Sequence, residues 1–200
     1  RSVEDILSYR EALESQYEEL LNSEEIIREL EEEKASLKIQ LDIVAERLHD
    51  IRQSAAHNLE IKVIDEFQYI GLEKSTFKVD VLMQDAYMLS GKDKVQFLIS
   101  TNPGEPMKSM ERIVSGGELS RIMLALKTVF VDKDETPSII FDEIDTGISG
   151  RVAQSVAEKM YIISTKHQVL CVTHLPQIAA MSDVNFLVAK NVVNQKTYTS

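Results

Sequence analysis

Asp142 and Glu143 stand side by side at the end of an apolar run, Ile139-Ile140-Phe141. Two adjacent carboxylates at the end of a strand can divide one task. Mg²⁺ binds few carboxylates and keeps most of its waters, so Asp142 alone suffices as a protein ligand. The second acid can then orient an attacking water, which is most of what phosphoryl transfer asks of side chains. Upstream, Ser115-Gly116-Gly117-Glu118 opens a segment in which Leu119, Ile122, Met123, Leu126 and Phe130 recur at helical spacing. Its glycines let the backbone approach a ligand. The free N–H groups and positive dipole end of such a helix suit a phosphate, and Ser115 adds a hydroxyl. Downstream, Val169-Leu170-Cys171-Val172 reads as another buried strand with His174 just past its end. Ligands of open α/β sheets gather at strand carboxyl ends, where a histidine can donate to a phosphate oxygen.

Each segment alone has a plainer reading: a capped helix start that binds nothing, acids that end a strand, a surface histidine. The order of the three is more specific. It resembles the signature, Walker B and switch histidine of ABC-class ATPases. The surrounding words narrow the resemblance. Gly117-Glu118-Leu119-Ser120-Arg121-Ile122-Met123-Leu124-Ala125-Leu126-Lys127, Phe141-Asp142-Glu143-Ile144-Asp145-Thr146-Gly147-Ile148-Ser149-Gly150 and Thr173-His174-Leu175-Pro176-Gln177-Ile178-Ala179-Ala180 resemble the RecN family of SMC-related bacterial DNA-repair proteins. Asn102-Pro103-Gly104-Glu105-Pro106 matches that family too. The resemblance covers essentially the whole chain, as the C-terminal half of such a protein.

The resemblance implies an α/β fold: the C-terminal lobe of an ABC/SMC-type P-loop ATPase head, with a long N-terminal coiled-coil helix. It implies ATP and Mg²⁺, with Asp142 holding the metal, Glu143 as general base and His174 sensing the γ-phosphate. Ser115, Gly116 and Gly117, with Glu118, would meet ATP held by a second head, and Asp145 would couple the two sites. The implied assembly is a homodimer through ATP-sandwiched heads acting on DNA, in recombinational repair of double-strand breaks, cytoplasmic and nucleoid-associated. No G-x-x-x-x-G-K-[ST] occurs in the chain. In the family that P-loop lies in the N-terminal half, so this chain alone is expected not to hydrolyse ATP. Another ABC-type ATPase (an SMC relative or a transporter subunit) and a non-catalytic coiled-coil scaffold are the alternatives. The long heptad helix speaks against a transporter, Leu175-Pro176-Gln177 against a different SMC relative, and the set Ser115, Asp142, Glu143 and His174 against a scaffold.

The elements that must position these residues follow from periodicity. Apolar residues recur every seven at Ile6, Leu13, Leu20, Ile27, Leu41 and Leu48, with Lys34 interrupting, and a second series runs through Leu30, Leu37, Val44 and Ile51. Ser2 and Asp5 fit a capping box, and Asn22-Ser23 marks a possible break. At ~1.5 Å per residue, about fifty helical residues would reach roughly 75 Å, so a coiled coil is expected over 1–58 and the head lobe over 59–200. Gly71 is the expected helix stop. Phe77, Val79, Val81 and Met83, then Val95, Phe97 and Ile99, alternate as two antiparallel strands. Their lysines (Lys74, Lys78, Lys92, Lys94) face solvent or DNA. Asn102 to Met110 reads as a loop; Lys108 and Arg112 beside it could assist a phosphate or face solvent. A helix from Arg151 to Ser164 carries Val152, Val156, Met160 and Ile163 as its stripe. A short helix from Pro176 to Met181 and a strand from Val184 to Ala189 complete the expectation, with Lys196 to Ser200 ending the chain without an evident terminus.

Composition sets limits. A net charge of −11 argues against a surface built throughout to grip nucleic acid. The single cysteine, Cys171, permits no internal disulfide, which fits a reducing cytoplasm. No signal-peptide core or membrane-length apolar run occurs, so no membrane partner is expected. The chain starts at Arg1 rather than Met, which suggests a piece of a longer protein.

Overall fold

The computed structural model describes residues 2–112, 115–193 and 196–199. The helix α1 spans Val3–Phe67, followed by strands β1 (Thr76–Met88), β2 (Gly91–Ser100) and β3 (Lys108–Ser109) and a 3₁₀ turn at Met110–Arg112. Then come α2 (Gly116–Phe130), β4 (Ser138–Phe141), α3 (Gly150–Ser164), β5 (Gln168–Cys171), α4 (Pro176–Ala179), β6 (Lys190–Val193) and β7 (Lys196–Thr199). Packing divides the chain into two units, one of residues 1–51 and 84–92, the other of 52–83 and 93–200.

In the first unit the helix starts as the capping box predicts. The Ser2 N–H donates to Asp5 Oδ2 at 2.8 Å, and the Asp5 N–H to Ser2 Oγ at 3.3 Å. The expected break at Asn22-Ser23 does not occur. The Ser23 hydroxyl donates to the Glu19 carbonyl at 2.7 Å, which satisfies it inside a continuing helix. The heptad positions Ile6, Leu13, Leu20, Ile27, Leu30, Leu37, Leu41, Val44 and Ile51 are all exposed, so the seam has no cover among the described residues. At the hairpin tip, Tyr87 Oη and Lys92 Nζ donate to Asp42 Oδ1 at 2.6 and 3.1 Å. Those two bonds, Tyr87 first, hold the Asp42 carboxyl below its ordinary value.

In the second unit Ala56, Val63 and Phe67 carry the inward face of the rest of α1. The helix ends at Phe67, short of the expected stop, and a turn runs on to Gly71, which has φ 73°; the Leu72 N–H returns to the Phe67 carbonyl at 3.2 Å. A Cβ there would also press on Val152 Cγ1 at 3.0 Å. β1 turns Phe77 and Val79 inward, and β2 turns in Ile99. The Phe77 ring meets Phe67 edge-on at 6.3 Å and lies 5.8 Å from Phe97. The sheet order is β1-β2-β3, so the stretch expected to be all loop contributes β3, which pairs Ser109 with Leu98 and Lys108 with Ile99.

β4 and β5 form a parallel pair, with Ser138 opposite Gln168 and Phe141 opposite Cys171. α3 packs against α2, α4 and β5. Its Val156, Met160 and Ile163 are buried as the stripe predicts, joined by Ala153 and Ala157, while Val152 is half-buried. Along α2 the burial is wider than one stripe: Ile122, Leu124, Ala125 and Leu126 are all buried, and Phe130 is exposed. The apolar runs of β4 and β5 suit buried strands. Only one face is covered: Ile139 and Phe141 are buried, whereas Ile140, Leu170 and Val172 are 70%, 44% and 63% exposed. The predicted strand from Val184 to Ala189 is irregular, because no ladder partner faces it among the described residues. Regular structure resumes at β6, which pairs antiparallel with β7. Ser200 lies outside the described residues.

Phe67→Ala removes a fully buried ring from the junction of α1 and β1. We expect a loss of about 3–5 kcal/mol in urea unfolding of the chain. A loss under about 1 kcal/mol would mean the ring does not anchor this core.

Candidate nucleotide site

Ser115 caps α2 as the glycine-turn reading requires: its Oγ accepts the Glu118 N–H at 3.4 Å and keeps a hydroxyl proton to donate outward. Gly116 is exposed and Gly117 buried at the tip of that helix. Val114, part of the sequence signature, lies outside the described residues. The carboxylate turn folds directly onto the glycine turn. A Cβ on Gly116 would collide with Glu143 Oε2. A Cβ on Gly117 would meet the Glu143 and Thr146 carbonyls, each at 3.1 Å, and Thr146 Cβ at 3.0 Å. Both glycines are therefore needed for close approach, one to a side chain and the other to backbone.

Two residues that sequence reasoning did not single out hold the turns together. The Ser120 hydroxyl donates to the Asp142 carbonyl at 2.8 Å. The buried Arg121 guanidinium donates through one nitrogen to the Ile144 and Thr146 carbonyls, at 3.4 and 2.9 Å. Burial lowers the Arg121 pKa from its usual value, against the opposing pull of the Glu118 charge. An arginine directly before the buried run Ile122–Leu126 was the available signal.

The turn itself is conformationally unusual. Glu143 has φ 55°, the one positive φ of a non-glycine residue among the described residues. Its N–H donates to Asp142 Oδ1 at 2.9 Å. Both acids are exposed. Asp145 was expected to face a second head. Instead it is 4% exposed, and its Oδ2 is used within the chain. It accepts from the Thr173 hydroxyl at 2.5 Å and the His174 N–H at 2.9 Å, and lies 3.0 Å from His174 Nδ1. A buried carboxylate must find donors, and those on offer belong to the histidine turn. Burial acts to raise the Asp145 pKa, but the Thr173 and His174 contacts together bring it below its ordinary value. His174 remains 75% exposed in its side chain.

Thus Gly116, Gly117, Asp142, Glu143, Asp145 and His174 form one connected site at the carboxyl ends of β4 and β5. Glu118, in the first turn of α2, is half-buried. Lys108 and Arg112 border a groove shared with Ser115 and Glu118. Lys78 is paired with Asp80 at 2.7 Å and Lys92 with Asp42, whereas Lys74 and Lys94 are exposed.

Fold and site together define the class: the C-terminal lobe of an SMC-type head with a long N-terminal helix. The Smc head domain with an extended coiled coil from Pyrococcus furiosus, solved bound to the C-terminal domain of ScpA, shares this fold with TM-score 0.55 and 18% identity, over 98% of this chain and 48% of that one. No family model matches the chain. By sequence the chain is similar, over nearly its whole length, to DNA repair proteins of the RecN family. It is 40% identical to DNA repair protein RecN of Bacillus subtilis over 99% of its length and 37% of the relative's. It is also 40% identical to that of Halalkalibacterium halodurans over 99% of its length and 36% of the relative's. The RecN of Vibrio cholerae is 38% identical over 98% of this chain and 36% of its own. The chain thus spans little more than a third of the length of the relatives it matches.

Two outcomes follow from this geometry. Gly117→Ala should destabilise the lobe by about 1–3 kcal/mol because fixed carbonyls must move, whereas Gly116→Ala, which displaces only a flexible carboxylate, should cost less. Thermal melts of the two variants check the order. Burial first, then the charges of Asp145 and Asp142, push the Cys171 thiol up to about 11. The thiolate is the reactive form, so at pH 8 Cys171 should alkylate on the order of 10²-fold slower than a free cysteine. Its rate should rise about tenfold per pH unit up to the raised pKa. Iodoacetamide kinetics read both.

Proposed function

We propose that this chain is the signature-bearing lobe of an ATPase head, and that the whole protein couples ATP binding and hydrolysis to recombinational repair of DNA double-strand breaks. The observation that carries the reading is the packing of the Ser115–Gly117 turn on the Asp142–Asp145 turn, with His174 held to the same turn. The similarity to RecN proteins supports the repair role, with DNA as the partner and the cytoplasm, at the nucleoid, as its place.

Mg²⁺ takes one or two carboxylates and completes its shell with water and phosphate oxygens. Asp142 is the residue to hold it: the Glu143 N–H occupies Oδ1 and leaves Oδ2 for a cation. When bound, Mg²⁺ neutralises charge on the phosphates. Glu143 takes a proton from the attacking water and fixes its direction. His174 contacts the γ-phosphate from the end of β5. Ser115, Gly116, Gly117 and Glu118 present the positive end of α2 to ATP held by the opposite head of a homodimer. Glu143 Oε2 lies against Gly116 in this chain, so the carboxylate must swing aside before a phosphate reaches that turn. With Asp145 turned inward, contact across the heads falls to the rest of its turn, Thr146–Gly147. The P-loop comes from the N-terminal part of the polypeptide, so the chain alone does not turn over ATP.

The decisive assay is ATP turnover by this chain mixed with a polypeptide carrying the P-loop half, beside the chain alone and a Glu143→Gln version. The mixture should turn over ATP and the chain alone should not. The Gln variant should bind ATP while losing at least ~10²-fold in rate. A Gln variant as fast as its parent would remove Glu143 from the base role, and a folded but inert mixture would favour a non-catalytic scaffold.

A further inference from the structure

We propose that Asp145 is a positioning residue for His174: it holds the imidazole in one tautomer and one orientation, with Nε2 left outward as the atom that meets the terminal phosphate. What Nε2 touches rests on the ATPase reading above; the positioning itself does not.

The argument starts from an accounting of hydrogen bonds. The Asp145 carboxylate is buried, and buried carboxylates require donors. The side-chain and backbone donors at its Oδ2 come from the two consecutive residues that carry and precede the histidine. The Thr173 hydroxyl both donates to Asp145 and accepts the Leu175 N–H at 3.1 Å, which fixes the turn leaving β5. The His174 backbone N–H donates to the same oxygen, Oδ2, that lies 3.0 Å from its ring Nδ1. A carboxylate 3.0 Å from Nδ1 places the ring proton on Nδ1, because an ionised carboxylate can only accept. The other nitrogen, Nε2, is then the one available to a ligand, and the side chain is 75% exposed to receive it. Such an acid–histidine pairing is the usual way to fix a ring that must meet charge from one direction.

Asp145 cannot drift away from this task. Arg121 holds the carbonyls of the two residues flanking it or next to it, Ile144 and Thr146, and Ile144 is fully buried. A continuous set of contacts therefore runs from the signature helix α2 through Arg121 and Asp145 to His174.

The test reads the ring directly. Long-range ¹H–¹⁵N spectra of the histidine-labelled chain at neutral pH report the tautomer of each imidazole. His174 of the parent should show the Nδ1–H form. In Asp145→Ala it should revert to the Nε2–H form favoured by free imidazole, while the His167 ring, whose Nδ1 lies 2.6 Å from the Thr136 carbonyl, stays unchanged as an internal fold reference. Thr173→Val, which keeps the carboxylate beside the ring, should retain the Nδ1–H form. The proposal is overturned if the parent ring is already Nε2–H, a result that needs no variant, or if a folded Asp145→Ala leaves the tautomer unchanged. In the reassembled enzyme Asp145→Ala should lower kcat about 10-fold or more with a smaller change in KM. An inert parent mixture whose His174 is nonetheless Nδ1–H would sink the ATPase reading and leave the positioning intact.

Discussion

A single guanidinium donates to two carbonyls of the turn that carries the acids, and most of the site depends on it. Arg121 is 6% exposed and bonds the carbonyls of Ile144 and Thr146. Among the described residues it has no carboxylate partner at hydrogen-bond distance, and its Nε finds no acceptor. Burying a charge on such terms is costly, so the arrangement must hold something worth the cost. It holds the strand-to-helix turn between β4 and α3 at a fixed height above α2. Gly117 can then press on that turn, Ser120 can reach the Asp142 carbonyl, and Asp145 can meet the histidine turn. A lysine would not serve equally, because its compact, strongly hydrated ammonium tolerates burial less well than a planar guanidinium.

The segments that flank the site were legible because their periods are unambiguous, whereas β3, β6 and β7 were not foreseen. The α2 and α3 stripes, the β4 and β5 runs and the Ser115 cap all follow from spacing and capping chemistry. What spacing could not supply was the identity of the neighbours. Ile140, Leu170 and Val172 are as apolar as Ile139 and Phe141, yet they face outward. Composition records that a strand is fit for burial, not which of its faces this chain covers. The run Phe186-Leu187-Val188 misled in the same way, since strand propensity needs a ladder partner to become a strand. Asp145 was the clearest gap. The resemblance gives Asp145 the task of coupling two heads, and only the fold reveals that its carboxylate turns inward to Thr173 and His174.

The long heptad segment shows the same divide between pattern and partner. Its apolar positions follow the seven-residue repeat, and those on the two series from Ile6 to Ile51, Leu48 aside, are exposed among the described residues. Such a seam is stable only when another helix closes it. The heptad repeat and the half-covered β4–β5 pair thus have a common physical character: each is apolar surface made for an opposing face.

Glu143 brings a different kind of constraint. Its φ of 55° lies in the left-handed region, which a side-chain-bearing residue enters only against resistance from its own Cβ. Glycine would sit there without strain. In the general-base role proposed above, position 143 is therefore a place where folding and chemistry prefer different amino acids. A population of variants selected for thermal stability alone would drift toward glycine at this site, whereas selection that also scored turnover by the reassembled head would keep the glutamate and tolerate the strain.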